Sequence, residues 1–214
     1  MSQKKGIYRT LKRRLDSFRH ERRYTEIVRN GEYVLPPQSI KLEILKKNIP
    51  SPCPAVFVET GTYYGATVEA MKSLYKNLIS IEVNEALYLK ACDRFKGDAN
   101  VRIVHGDCVR EMPVILSQIQ EPAVFWLDGH YSGGETGLGE VEDPILISLD
   151  QIAVHPVKDH TIFVDDARTF DGREGRPDIS EVFNRLKKIN NQYVIRVMSD
   201  IIVATVSPLP VRIV

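Results

Sequence analysis

Residues Val56 to Gly65 read VFVETGTYYG, an apolar run that meets an acidic residue and then two glycines four positions apart, Gly61 and Gly65. A strand that breaks into such a turn brings its backbone close to a bound ligand, because glycine carries no Cβ and enters left-handed conformations freely. A second apolar run, Leu78 to Val83 (LISIEV), follows and places Glu82 twenty-one residues after Gly61. At that spacing a carboxylate accepts both hydroxyls of a ribose. Together the two runs point to an adenosine-containing ligand.

Working outward, the chain alternates Val/Ile-rich runs at 55–59, 78–83, 101–104, 123–128 and 161–165 with amphipathic stretches at 65–76, 85–96, 109–119, 144–154 and 178–189. This alternation predicts βα units and a parallel sheet. The last two runs break the rhythm. Tyr193 to Met198 and Ile201 to Val206 are separated only by Ser199 and Asp200, too little chain for a crossover helix, so they are expected to pair antiparallel. The body at 55–214 is thus one α/β unit.

The lead-in, 1–54, is a separate object. Residues 1–30 hold ten Lys/Arg against three Asp/Glu, while the whole chain is only +1, so the remainder is net −6. Ile7, Leu11, Leu15 and Phe18 fall at helical spacing among Arg13, Arg14, Arg19, Arg22 and Arg23, which describes a basic amphipathic helix. Such a helix fits an anionic membrane surface, phosphates, a partner subunit in a homodimer, or its own domain. No apolar run approaches the roughly 20 residues of a membrane span, and the expected location is cytoplasmic. Cys53, Cys92 and Cys108 have neither a CxxC spacing nor an even count, and are expected to be reduced thiols.

Five βα units closed by an antiparallel hairpin resemble the class I S-adenosylmethionine-dependent methyltransferases, whose Rossmann-like sheet is mostly parallel and seven-stranded. Their glycine motif is acidic-x-Gly-x-Gly-x-Gly. Here it reads Glu59, Thr60, Gly61, Thr62, Tyr63, Tyr64, Gly65, with Tyr63 where the middle glycine stands. That substitution and the hairpin count against a nicotinamide dinucleotide, and less against S-adenosylmethionine, which has no phosphates to cradle. The resemblance implies cofactor contacts from Glu59, Gly61, Thr62, Tyr63, Gly65, Glu82 and Asp128. It also places Asp107 or its neighbour Cys108 beside the adenine, although Asp107 is equally suited to N-capping the helix that follows.

The fourth and fifth strands end in WLDGHYSGG and TIFVDDAR. Asp128, Asp165 and Asp166 at those ends supply hard oxygen donors suited to Mg²⁺. They match, residue by residue, the metal ligands of metal-dependent O-methyltransferases of the catechol and antibiotic-sugar type. The same resemblance implies that Asp128 is catalytic and that His130 is a general base. WLDGHYSGG is also similar to bacterial methyltransferases associated with surface polysaccharide or glycolipid. The expected activity is therefore O-methylation of a sugar or other small acceptor. An RNA methyltransferase using the basic arm and a non-catalytic cofactor-binding subunit remain as alternatives, the first disfavoured by the acidic body. Arg168, Arg173 and Arg176 are offered to an anionic acceptor.

Overall fold

The computed structural model describes residues 19–30, 34–128, 139, 141, 143–173 and 176–206. Two compact units are present, one through Lys47 and one from Asn48 onward. The first contains a helix over 19–29 (α1), on which Arg19, Arg22, Arg23 and Arg29 are all exposed, and a helix Gln38–Lys47 (α2). Ile7, Leu11, Leu15 and Phe18 lie outside the described residues.

The second unit runs β1 (Val56–Thr60), α3 (Ala66–Met71), β2 (Asn77–Glu82), α4 (Glu85–Phe95), β3 (Val101–His105), α5 (Cys108–Leu116), β4 (Ala123–Leu127), α6 (Ile145–Val154), β5 (Thr161–Val164), a 3-10 turn Ala167–Thr169, α7 (Ile179–Ile189), β6 (Val194–Met198) and β7 (Ile201–Thr205). The sheet order is β3-β2-β1-β4-β5-β7-β6. Its first five strands are parallel, and β7 is antiparallel to both β5 and β6. Strands β1, β4, β5 and β7 are buried at every position, because helices cover both faces of an inner strand, whereas edge strand β3 is only partly buried. The expected hairpin is present. Ser199 and Asp200 both lie in the left-handed region (φ 44° and 71°), which matches a two-residue turn to the twist of its strands.

Two helices are shorter than their sequence patterns. The stretch 65–76 is helical only from Ala66 to Met71, because Asn100 Nδ2 donates to the carbonyls of Lys72 (2.7 Å) and Tyr75 (2.8 Å) and turns the chain there. The α5 pattern at 109–119 stops at Leu116 and contains Pro113, which has no N–H for the Val109 carbonyl four residues back. Gln151 Nε2 on α6 donates to that carbonyl instead, at 2.7 Å. A bond lost to proline inside one helix becomes a contact between two.

At the sheet edge where β4 and β5 begin, two buried histidines form a chain whose tautomers follow from their partners. The Ala123 N–H donates to His160 Nδ1 (3.0 Å), so His160 Nε2–H donates to His155 Nδ1 (3.1 Å). His155 Nε2–H then donates to the Leu116 and Ile119 carbonyls, each at 3.1 Å. Protonating His160 at Nδ1 would set its N–H against the Ala123 N–H. Burial first, then the neighbouring His155 and Lys158, pushes His160 down to about 4. The unfolded chain therefore binds a proton that the native state refuses between about pH 6.5 and 4. This contribution is fully present above the unfolded value and is lost as pH falls, on the order of 3 kcal/mol across the window. Urea denaturation from pH 7 to 4.5 is expected to show that loss. His160→Asn, which keeps an acceptor for Ala123 N–H but does not titrate, should flatten the acid limb; an unchanged slope would assign the loss to other groups.

Candidate active site

The strand register assembles the site. Thr60 on β1 is level with Ile81 on β2 and Leu127 on β4, and Leu127 is level with Val164 on β5. The next residue on each strand is Glu82, Gly61, Asp128 and Asp165, which therefore form one row across four neighbouring strands at their C-terminal ends. At about 4.8 Å per strand the row spans roughly 14 Å. In open α/β sheets ligands bind at this edge.

The glycine loop is tied down from β2. The Gly61 and Thr62 N–H groups both donate to the Ile81 carbonyl (3.0 and 3.2 Å), and the Tyr63 N–H donates to Glu82 Oε2 (2.7 Å). Gly61 (φ 85°) and Gly65 (φ 70°) occupy left-handed backbone, and so does Tyr63 (φ 49°). A bulky residue rarely sits there, and the short bond to Glu82 helps to hold it. Tyr63 and Tyr64 stay about half exposed, with ring centroids 4.2 Å apart. Glu82 also accepts the Asn84 N–H on Oε1 (2.9 Å). Each carboxylate oxygen retains a second lone pair.

Glu59 is buried rather than open on the edge, 1% exposed. Ser80 Oγ donates to its Oε2 at 2.5 Å, and the Ser80 hydroxyl in turn meets Thr62 Oγ1 at 2.6 Å. Burial outweighs these bonds and pushes the carboxyl up to about 8, with the Glu82 charge adding to the rise. Because the native state keeps a proton that the unfolded chain releases, this group works against stability as pH climbs from about 4.5 through 8.

Asp107 accepts the Val109 N–H on Oδ1 (2.7 Å) and N-caps α5. Gly139 packs against the same carboxylate, and a Cβ there would stand 2.5 Å from Oδ2. Neighbouring Cys108 is partly buried, and burial pushes its thiol up to about 12, so it stays neutral.

Asp128, Asp165 and Asp166 converge, each offering an oxygen within 4.8 Å of the others. A single cation 2.1–2.6 Å from its ligands places opposed oxygens about 4.2–5.2 Å apart, so the donor set fits one hard divalent ion. Thr60 positions the first of them, its Oγ1 accepting the Asp128 N–H at 3.0 Å. The Asp165 N–H donates to the Leu127 carbonyl, and the Asp166 N–H to Asp165 Oδ1 (2.8 Å). Asp128, Asp165, Asp143, Ser148 and Phe170 line a cleft beside this cluster. His130 lies outside the described residues.

Arg168 is committed within the protein. Its Nη1 donates to Asp166 Oδ1 (2.6 Å) and to Asp200 Oδ2. Arg176 pairs with Asp171 at 3.6 Å. Asp200 was not legible as a site residue, since only the hairpin carries it back to β5; its one sequence signal is an Asp in a two-residue turn.

No family model matches the chain, and no curated protein matches it in sequence. Solved structures match in fold. An O-methyltransferase from Bacillus cereus, in complex with SAH, superposes with a TM-score of 0.54 at 13% identity over 81% of this chain and 82% of its own. The O-methyltransferase TomG from Streptomyces achromogenes, in complex with SAM, gives 0.52 at 13% over 88% and 89%. The 23S rRNA methyltransferase ErmE gives 0.53 at 15% over 81% and 69%. Strand order, terminal hairpin and these superpositions agree: the fold is that of the class I S-adenosylmethionine-dependent methyltransferases.

Proposed function

We propose that this chain is an S-adenosylmethionine-dependent O-methyltransferase, assisted by a divalent cation, acting on a hydroxyl of a sugar or other small acceptor. The observation that carries the reading is the row Glu82, Gly61, Asp128, Asp165. It sets a nucleoside-sized stretch of edge beside an all-oxygen donor cluster. Along it, the backbone of Gly61, Thr62, Tyr63 and Gly65 borders the methionine and ribose, Glu82 accepts from the ribose hydroxyls, and Asp107 with Cys108 edges the adenine. Asp128, Asp165 and Asp166 hold the cation, for which Mg²⁺ is the natural occupant.

A divalent cation held there by Asp128, Asp165 and Asp166 would lower the pKa of an acceptor hydroxyl and orient its oxygen. The protein's share is orientation, with Thr60 and Leu127 holding the backbone that carries Asp128 and Asp165. His130, two residues beyond Asp128 in the sequence, is the candidate general base for the proton. A small acceptor also suits the charge, because the chain beyond residue 30 is net −6 and a phosphate backbone would be repelled.

Calorimetric titration with S-adenosylhomocysteine, with and without Mg²⁺ and with NAD as control, tests the reading. Micromolar binding of the homocysteine compound and none of NAD is expected. Glu59 adds a signature. Near pH 7 it holds a proton, and a ligand ammonium or sulfonium close by favours the ionised form, so binding should release a fraction of a proton. The measured heat would then depend on buffer ionisation enthalpy. Absence of binding at millimolar ligand would reduce Glu59, Gly61 and Glu82 to structural residues.

A further inference from the structure

The acidic cluster is in contact with a cation of the protein's own. Arg168 Nη1 donates to Asp166 Oδ1 at 2.6 Å and to Asp200 Oδ2, so one nitrogen is shared between a carboxylate after β5 and one at the tip of the β6–β7 hairpin. The backbone closes the same clasp. The Arg168 N–H donates to Asp200 Oδ1 and the Ala167 N–H to the Asp200 carbonyl, both at 2.8 Å. The side chains of Asp200 and Asp166 are 3% and 10% exposed, that of Arg168 32%. Asp166 itself is left-handed (φ 54°), and its carbonyl accepts the Thr169 hydroxyl at 2.7 Å.

We propose that Arg168 is the resident counter-cation of the Asp128, Asp165, Asp166 cluster, and that Asp200, by sharing the guanidinium, sets how strongly the cluster binds a divalent ion. The inference rests on the cation-assisted reading above. A guanidinium and a divalent ion draw on the same negative charge, and in a half-buried setting the interaction is weakly screened. Arg168 keeps the acidic pair from repelling itself when no metal is bound. Asp200 draws part of that charge toward the hairpin and leaves the cluster able to bind a metal. Both are positioning residues, acting through Asp166.

The test is titration of the metal-free full chain with Mn²⁺, followed by the loss of the free-ion electron paramagnetic resonance signal, so that it needs no turnover. Arg168→Met should bind Mn²⁺ about tenfold tighter than the unsubstituted protein, a difference of about 1.4 kcal/mol. Arg168→Lys, which keeps the charge, should stay within about twofold. Asp200→Asn, which retains an acceptor for the Arg168 N–H but releases the guanidinium onto Asp166, should bind several-fold more weakly. Thermal melts without metal establish that each variant is folded; if Arg168→Met is not, Arg168→Gln and Asp200→Asn carry the same test. Binding to Arg168→Met alone, with none to the unsubstituted protein, would also support the proposal. Equal affinity of the Met variant and the unsubstituted protein, or a Lys variant as tight as the Met variant, would overturn it and leave the cation site standing. No binding by either would remove both.

Discussion

Asp128→Ala is expected to abolish cation-stimulated methyl transfer, with kcat falling at least about 100-fold while the dissociation constant for S-adenosylhomocysteine moves by less than about threefold. The separation follows from how Asp128 is held. Its N–H is fixed by Thr60 Oγ1 at 3.0 Å and by the Thr60 carbonyl at 3.3 Å, so truncating the side chain leaves the strand end in place. What disappears is one of three carboxylate oxygens that lie within 4.8 Å of one another. Cation polarisation of a reacting oxygen is worth several kcal/mol, and about 2.7 kcal/mol already corresponds to 100-fold. Steady-state assays across a Mg²⁺ series, paired with calorimetry on the same variant, provide the check. Equal losses of turnover and cofactor affinity would mean that Asp128 serves the cofactor first.

Gly65→Ala is expected to lower the unfolding free energy by roughly 2–5 kcal/mol, from two independent costs. Left-handed backbone at φ 70° costs a residue with a Cβ about 1–2 kcal/mol. The added carbon would also stand 2.6 Å from Phe95 Cε2 and 2.9 Å from Cζ. Phe95 is 3% exposed on α4, with Arg94 over its ring at 5.0 Å and Lys72 at 5.6 Å, so it has little room to retreat. Overpacking of that kind costs about 1–3 kcal/mol. Urea denaturation measures the sum, and the double variant Gly65→Ala, Phe95→Leu divides it: relieving the contact should restore part of the overpacking cost but none of the backbone cost. A single variant within about 0.5 kcal/mol of the parent would mean that the loop turns equally well without glycine, and the link from Arg94 Nη1 to the Tyr64 carbonyl would then carry little.

The helix ends and the charges around β5 were less legible than the strands. The α3 pattern at 65–76 looked continuous because a hydrophobic repeat contains no information about Asn100, which arrives from the far end of the next βα unit to take its carbonyls. The stretch 109–119 read as one helix, and the donor that takes the carbonyl left by Pro113, Gln151, belongs to another helix. Arg168 read as a loop arginine available to an acceptor. Its actual partners stand two and 32 residues away, and the farther one meets it only after the hairpin has formed. Glu59 was legible as an acid at a strand end, but not its burial or the Ser80 hydroxyl that donates to it from the neighbouring strand.

From the sequence alone came the features set by short-range patterning. These are the parallel βα alternation, the two-residue Ser199-Asp200 turn that forces an antiparallel finish, and the candidate acids at strand ends, each governed by residue periodicity and local backbone sterics. Tertiary structure decided which ends lie level. Register aligns Thr60 with both Ile81 and Leu127 and thereby draws Glu82, Gly61, Asp128 and Asp165 into one row. It decided the partners of Arg168 and the burial of Glu59 as well. Those depend on contacts between residues distant in the chain, whose energies exist only once the sheet has brought them together.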